Sequence, residues 1–266
     1  MIYRNDVLKD EQYSGGYSKH ILNEFSKRSL DKEGCFFQDH IEQGNTVLDV
    51  GCGPGSLSLQ IAERVGPNGY VHAVDIQSEQ FPADHSQNIH FQQASIFDLP
   101  FEDNTFDAIL AHAVLYHLGV QDSALAELKR VLKPGGLLGI RDAEFGGDVC
   151  YPSVDDLDKA WEIIEACFNV AGSDIFYGRK QASSLIQAGF DVIALSASYD
   201  VFCHSSGYNP KDYALFWQDY IQRHAPKAGY TEDEIARAQK AVLNWGNHPD
   251  AYYGRTRCEA VARKPL

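Results

Sequence analysis

No apolar run in these 266 residues approaches the ~18 needed to span a bilayer as a helix, so a membrane-crossing helix is not expected. The first residues, Met1 to Asp6, lack a basic start followed by a hydrophobic stretch, so no secretion signal is expected either. Basic residues are scarce: 23 Lys and Arg stand against 37 Asp and Glu, a net charge of −14. Nucleic acids and anionic membranes both need a cationic surface, so neither is an expected partner. Cys-x-x-Cys pairs and zinc-finger spacings are missing as well. The six cysteines, Cys35, Cys52, Cys150, Cys167, Cys203 and Cys258, read as reduced, mostly packed thiols of a cytoplasmic protein, without a disulfide framework or a metal site. Internal repeats and low-complexity stretches are absent.

The length allows one to two domains, and the composition is that of an ordinary globular protein. Residues 1–45 are polar and aromatic, with a helix expected near Ser18–Ser29. Residues 46–142 alternate short apolar strands with helical patterns. Strands are expected at 46–50, 70–75, 89–91, 106–111 and 137–142, and an amphipathic helix over 124–132 is ended by Lys133-Pro134-Gly135-Gly136. Such alternation implies α/β architecture, a parallel sheet with right-handed crossovers, and ligands bound beyond the carboxyl ends of the strands. Residues 143–266 read as more helical and end in a strand-like segment.

The first strand runs into Gly51-Cys52-Gly53-Pro54-Gly55, and a helix follows. Glycines there let the backbone approach a ligand, and the helix N-terminus offers unpaired N–H groups. An acid, Asp75, ends the next strand 24 residues after Gly51, near the spacing of a ribose-binding carboxylate. The dinucleotide fingerprint is not met, because Ser56 stands where its third glycine belongs.

Val47-Leu48-Asp49-Val50-Gly51-Cys52-Gly53-Pro54-Gly55 resembles motif I of class I S-adenosylmethionine-dependent methyltransferases, and among them the ubiquinone/menaquinone-biosynthesis-type small-molecule enzymes. Asp75, Asp98-Leu99-Pro100-Phe101 with Phe106-Asp107, and the run from Leu128 to Gly136 fit in order. The resemblance covers about residues 45–142, and Trp245–Ala262 resembles the end of some members. It implies a Rossmann-like, doubly wound, mostly parallel seven-stranded sheet with an antiparallel last strand, plus N-terminal and C-terminal helical caps. Residues 1–45 would be a helical lid, and residues 46–266 the methyltransferase domain with a helical insertion at about 204–252. By the same resemblance Asp49, Gly51, Gly53 and Gly55 floor the methionine part of the cofactor. Asp75 accepts from the ribose hydroxyls, and Ile76 packs on the adenine. Ser95 and Ile96 flank the adenine edge, with Ser95 standing where the family usually carries Asp. Asp98 reads as part of a plain turn.

Methyl transfer from a sulfonium is an in-line displacement in which positioning supplies much of the rate, so few catalytic side chains are required. The acceptor is expected above strands four and five. His112, at the end of strand four, and His117 are candidate bases and contacts to cofactor or substrate; the alternative for His117 is a helix-start histidine bonded to backbone. Asp142 and Glu144 follow strand five and either orient the acceptor or cap and face solvent. Arg141 alternates with Asp142, and Asp142 is the one expected to face the pocket. Tyr116 is a candidate substrate contact, as are Tyr17, which is also a candidate cofactor contact, and His20; Tyr17 and His20 would close a lid unless they belong to a surface arm. Arg179 holds an acidic substrate group or a surface ion pair. Tyr213, Phe216, Trp217 and Tyr220 share one helix face, which reads as core of a cap with its edge on a pocket.

The expected function is therefore S-adenosylmethionine-dependent methylation of a small-molecule acceptor. Two alternatives stand beside it: a cofactor-binding protein of this fold with other chemistry, and a nicotinamide-dependent oxidoreductase. The acceptor atom and the oligomeric state are not legible.

Overall fold

A computed structural model describes Leu22 and residues 25–266. Among the described residues one sheet holds eight strands: β1 (Thr46–Val50), β2 (Tyr70–Asp75), β3 (Ile89–Gln93), β4 (Phe106–His112), β5 (Leu132–Ala143), β6 (Val149–Tyr151), β7 (Asp191–Cys203) and β8 (Tyr252–Arg263). The spatial order is β3-β2-β1-β4-β5-β8, with β7 along the far edge of β8. The first five strands pair in parallel, and β8 runs antiparallel to both β5 and β7. The eighth strand beyond the expected seven is β6, which pairs Val149–Tyr151 with Tyr252–Gly254. Three residues carry no readable period, so it leaves no sequence signal.

The apolar runs become buried strands because both faces of the sheet are covered, as parallel sheets require. On one face Leu48, Val50, Ile109 and Ile140 meet Leu125, Leu128, Ile163 and Leu185. These come from helices α2 (Gln121–Val131), α3 (Leu157–Val170) and α4 (Gln181–Gln187). On the other, Val47, Val71 and Leu110 meet Leu57 and Ile61 of α1 (Ser56–Val65), together with Phe37 and Ile41. Phe37 lies flat on β5 because position 139 is glycine: a Cβ there would sit 2.5 Å from the ring.

The helix expected over 124–132 spans Gln121–Val131, and β5 starts at once with Leu132 beside Phe106. Pro134-Gly135-Gly136 then bulges before Leu137 pairs with Ala108, with Gly135 at φ 79. The expected strand was therefore only the regular part of β5.

Between β7 and β8 lie α5 (Pro210–His224) and α6 (Glu232–Gly246). Asn209 caps α5 ahead of Pro210 at its first position, and Thr231 with Glu234 forms a capping box on α6. The aromatic face of α5 is core: Tyr213, Trp217 and Tyr220 are buried and Phe216 is half-buried. Trp217 packs 5.8 Å from Trp161 and 6.2 Å from Phe168, both on α3. No described helix is long and apolar enough to cross a membrane.

Candidate active site

The carboxyl ends of β1, β2 and β4 meet at the glycine loop. Gly51, Gly53 and Gly55 have φ of 70, 56 and 78, a conformation that side chains disfavour. The N–H groups of Gly51 and Cys52 both donate to Val74 O, at 2.8 and 3.0 Å, fixing the loop to β2. A Cβ on Gly51 would collide with Val114, just past β4, so this glycine lets the two turns touch. Among the described residues, a Cβ on Gly53 would meet nothing closer than 3.9 Å.

Asp75 is held from both sides. Gly53 N–H donates to its Oδ2 at 2.9 Å, and Gln77 N–H to its Oδ1 at 3.0 Å. Each oxygen keeps accepting capacity, and the carboxylate is only 9% exposed. Burial raises its pKa against these bonds. Asp49 is buried and accepts from Ser58 Oγ of α1 at 2.5 Å; burial pushes its carboxyl up to about 7. Ile76 is half-buried beside Asp75. Ala94 N–H donates to Asp75 O at 2.9 Å, which brings Ser95 and buried Ile96 to the same end of the sheet. The Ser95 hydroxyl accepts from Phe97 N–H at 3.1 Å. Together these residues make a cradle that, among the described residues, has carboxylate lone pairs to spare and room over Gly53, which fits a ribose and an adjoining methionine chain.

Beyond β4 the backbone turns at Ala113, φ 59, into the 3-10 turn Leu115–His117. His112 is buried, and Arg141 Nη1 donates to its Nε2 at 3.0 Å. Burial, reinforced by Arg28, Arg141 and Arg257, pushes its pKa well below 6.5, so the ring is neutral. His117 stacks between Tyr116 (3.8 Å) and Phe168 (6.1 Å), and burial lowers its pKa to about 3. Buried Tyr116 has its pKa raised by burial and lies within the fields of Arg257 and Arg255.

Arg141 and Asp142 leave β5 on opposite faces. Arg141 reaches His112, while Asp142 is fully enclosed near the 114–116 turn, with neither carboxylate oxygen hydrogen-bonded among the described residues. Burial brings Asp142 up to about 7 against the opposing pull of Arg257 and the N–H groups of that turn. Glu144 and Arg179 engage each other: Arg179 N–H and Nε donate to Glu144 Oε2 at 3.1 and 3.0 Å, and Nη2 to Oε1. Arg179 is otherwise exposed. Tyr17 and His20 lie outside the described residues.

Several residues here were missed by the sequence reading. Gln80 packs beside Asp75. Arg141 also donates to Glu259 Oε1 (3.1 Å), Ser198 Oγ (3.1 Å) and Asp200 Oδ1 (2.7 Å), and Arg257 Nε donates to Asp200 Oδ2 at 2.7 Å. The two arginines hold the Asp200 carboxyl well below the usual carboxylate range, although burial alone would raise it. The alternation Arg255-Thr256-Arg257-Cys258-Glu259 was the available signal: period two puts the charges on one face.

The family model described as a methyltransferase domain matches residues 41–202. A probable methyltransferase of Aspergillus luteorubrus is 28% identical over 285 residues, covering 95% of this chain and 97% of that one. A 2-phytyl-1,4-naphtoquinone methyltransferase of Nostoc punctiforme is 39% identical over 112 residues, covering 38% of this chain and 47% of that one. Among solved structures, a SAM-dependent methyltransferase from Methanosarcina mazei superposes with a TM-score of 0.54 at 16% identity, covering 87% of this chain and 97% of that one. That likeness is one of fold. The chain belongs to the methyltransferase-domain family and is a class I S-adenosylmethionine-dependent methyltransferase.

Proposed function

We propose that the protein transfers a methyl group in line from S-adenosylmethionine, bound over the glycine loop, to a discrete small molecule bound above β4 and β5. The observation that carries this reading is the Asp75 carboxylate, fixed by Gly53 and Gln77 with accepting capacity left over. The cofactor supplies a methyl group already activated on a sulfonium. Asp75 holds the ribose, Gly51 to Gly55 let the backbone approach the methionine chain, and Ile76, Ser95 and Ile96 border the adenine. Asp49 braces the floor through Ser58. His112, Tyr116 and His117 border the acceptor side, where their burial excludes water.

Both histidines are too weakly basic to take a proton readily near neutrality, so positioning is their main contribution. Asp142, with a pKa about 7, has the basicity for proton transfer, and both its oxygens are free of hydrogen bonds among the described residues. We therefore read it as the group that orients the acceptor or takes its proton. We read Glu144 and Arg179 as a clamp on the rim. The helical insertion at 204–252 would roof the acceptor. The quinone named for the Nostoc relative supports a small organic acceptor. Six free cysteines and a net charge of −14 support a cytoplasmic protein without nucleic-acid partners.

Calorimetric titration tests the reading. S-adenosylmethionine and S-adenosylhomocysteine are expected to bind in the micromolar range and NAD not to bind. Asp75→Ala is expected to weaken both ligands by roughly 10–100-fold, the loss of charge-assisted hydrogen bonds to a diol. Unchanged affinity in Asp75→Ala would remove Asp75 from the ribose site.

A further inference from the structure

Residues 25–33 run from the glycine loop to the helical insertion. At one end the hydroxyl of Ser56, the first residue of α1, donates to Phe25 O at 2.8 Å. One turn on, the Gln60 amide donates to Arg28 O at 3.2 Å and accepts from Leu30 N–H at 2.9 Å. The Phe25 ring comes within 4.0 Å of the place where Gly53 would carry a Cβ, and the Arg28 guanidinium lies 4.0 Å from the centre of that ring. Burial dominates the pKa values of Asp49, on the floor of the loop, and of His112, at the end of β4, and the Arg28 charge acts on both. The segment is thus a strap across the site.

At its other end the short turn Leu30–Glu33 buries Glu33 to 2% exposure. Glu33 Oε2 accepts from Ser29 N–H at 2.6 Å, and Oε1 accepts from the Tyr208 hydroxyl at 2.6 Å. Tyr208 stands 175 residues further along, in the turn that leads from β7 into α5. Its backbone is tied down: Cys203 N–H and Ser206 Oγ both donate to its carbonyl, at 3.2 and 2.9 Å. Its ring packs 5.2 Å from Phe202, which stacks 3.9 Å from Tyr213 of α5. Asn209, the next residue, caps α5. Packing alone needs no hydroxyl at position 208, since a phenylalanine ring fills the same place. What the hydroxyl adds is a bond to a carboxylate, stronger than a neutral hydrogen bond, between two segments far apart in the chain. Glu33 also holds Ser29 N–H, next to Arg28, so a shift of α5 passes through Tyr208 and Glu33 to the strap.

We propose that the Glu33–Tyr208 hydrogen bond is a latch that couples the roof of the acceptor site to cofactor exchange. S-adenosylmethionine over Gly53 lies beneath Phe25 and Arg28, so its product leaves only when the strap lifts, and the latch opposes that lifting. An acceptor seated under α5 steadies Tyr208 and so tightens the hold on the cofactor. By linkage, bound cofactor steadies the roof in the same measure. Glu33 and Tyr208 act as positioning residues, through the strap and through α5. The coupling rests on the glycine loop being the cofactor site.

Tyr208→Phe and Glu33→Gln test it with S-adenosylhomocysteine as the ligand, by stopped-flow dissociation and by amide hydrogen exchange. In the wild type the ligand is expected to slow exchange both at residues 25–33 and at residues 203–213. In each variant the slowing at 203–213 is expected to vanish while that at 51–60 remains, and dissociation is expected to quicken about 10-fold. The double variant should dissociate no faster than the faster single one, because both changes remove one bond. A bond that only stabilises the fold would lower the thermal midpoint and leave the ligand-induced slowing at 203–213 in place. Unchanged dissociation in Tyr208→Phe overturns the latch. So does slowing at 203–213 that is missing in the wild type or survives in Tyr208→Phe. Should Glu33→Gln fail to fold, Tyr208→Phe decides alone, because its ring still packs on Phe202. A wild-type protein that binds no S-adenosylhomocysteine sinks the cofactor reading. The latch is then judged in the ligand-free protein, where Tyr208→Phe must quicken exchange at residues 25–33 about 10-fold or the latch is discarded.

Discussion

Gly51 shows how narrow the tolerance is at a single position. Its φ of 70 is strained for any side chain, and a Cβ would strike Val114. Gly51→Ala is expected to destabilise the protein by about 1–3 kcal/mol, read as a lowered thermal midpoint, because conformational strain and overpacking act together. It should also weaken S-adenosylmethionine, since the turn after β4 would be pushed away from the loop. The glycine was legible because loop, strand and helix follow in order. The behaviour of the histidines was not. An isolated imidazole titrates near neutrality, which made His112 and His117 candidate bases. Burial and three guanidinium groups lower the pKa of His112, and none of those arginines is its sequence neighbour.

Elements are fixed here by clamps as much as by propensity. Glu144, just past β5, accepts from Gly146 N–H at 3.1 Å and from the backbone and side chain of Arg179. One carboxylate thus ties the loop after β5 to the turn before α4. Glu144→Ala is expected to cost about 1–3 kcal/mol in urea unfolding, because it orphans N–H groups in a part-buried turn. Arg179→Ala should cost under about 1 kcal/mol, since its exposed guanidinium is well solvated when freed. Equal losses in the two variants would mean that the ion pair, not the backbone bonds, does the holding. The helix stripe Tyr213, Phe216, Trp217 and Tyr220 was readable from spacing alone, because an apolar face must pack on something. Its partner, α3, was not readable, since the contact bridges residues far apart in sequence.

Across the molecule, buried titratable groups pull stability in opposite directions with pH. His112 and His117 have pKa values lowered from 6.5, so the unfolded chain binds more protons below that pH. Their contribution is present above pH 6.5 and is lost as pH falls toward their folded values. Asp49 and Asp142 have pKa values raised from 3.8 to about 7. Their contribution is full below pH 3.8 and is lost as pH rises through 7. The two sets offset each other between pH 3.8 and 6.5; above pH 6.5 the unfolded histidines finish losing their protons, and the aspartate change outweighs theirs. The unfolding free energy is therefore expected to decline between pH 6.5 and 8 by on the order of 1 kcal/mol. Asp142→Asn, which cannot ionise, should flatten that decline in urea titrations at each pH. A decline of full size in that variant would remove Asp142 as its cause.

The sequence by itself determined the parallel sheet, the glycine loop and the acid at the end of β2. Each is a local event: a β-branched run, a turn that needs positive φ, a carboxylate at a fixed distance along the chain. Strand β6 and the early start of β5 escaped it, because three residues have no period and a bulge hides the continuation. Only the tertiary structure decided which polar groups are dry. Arg141, Asp200, Arg257 and Glu259 are charged residues that a sequence places at the surface by default. Folding brings β5, β7 and β8 side by side, and the charges compensate one another in the interior. That pairing depends on neighbours 57 to 118 residues apart.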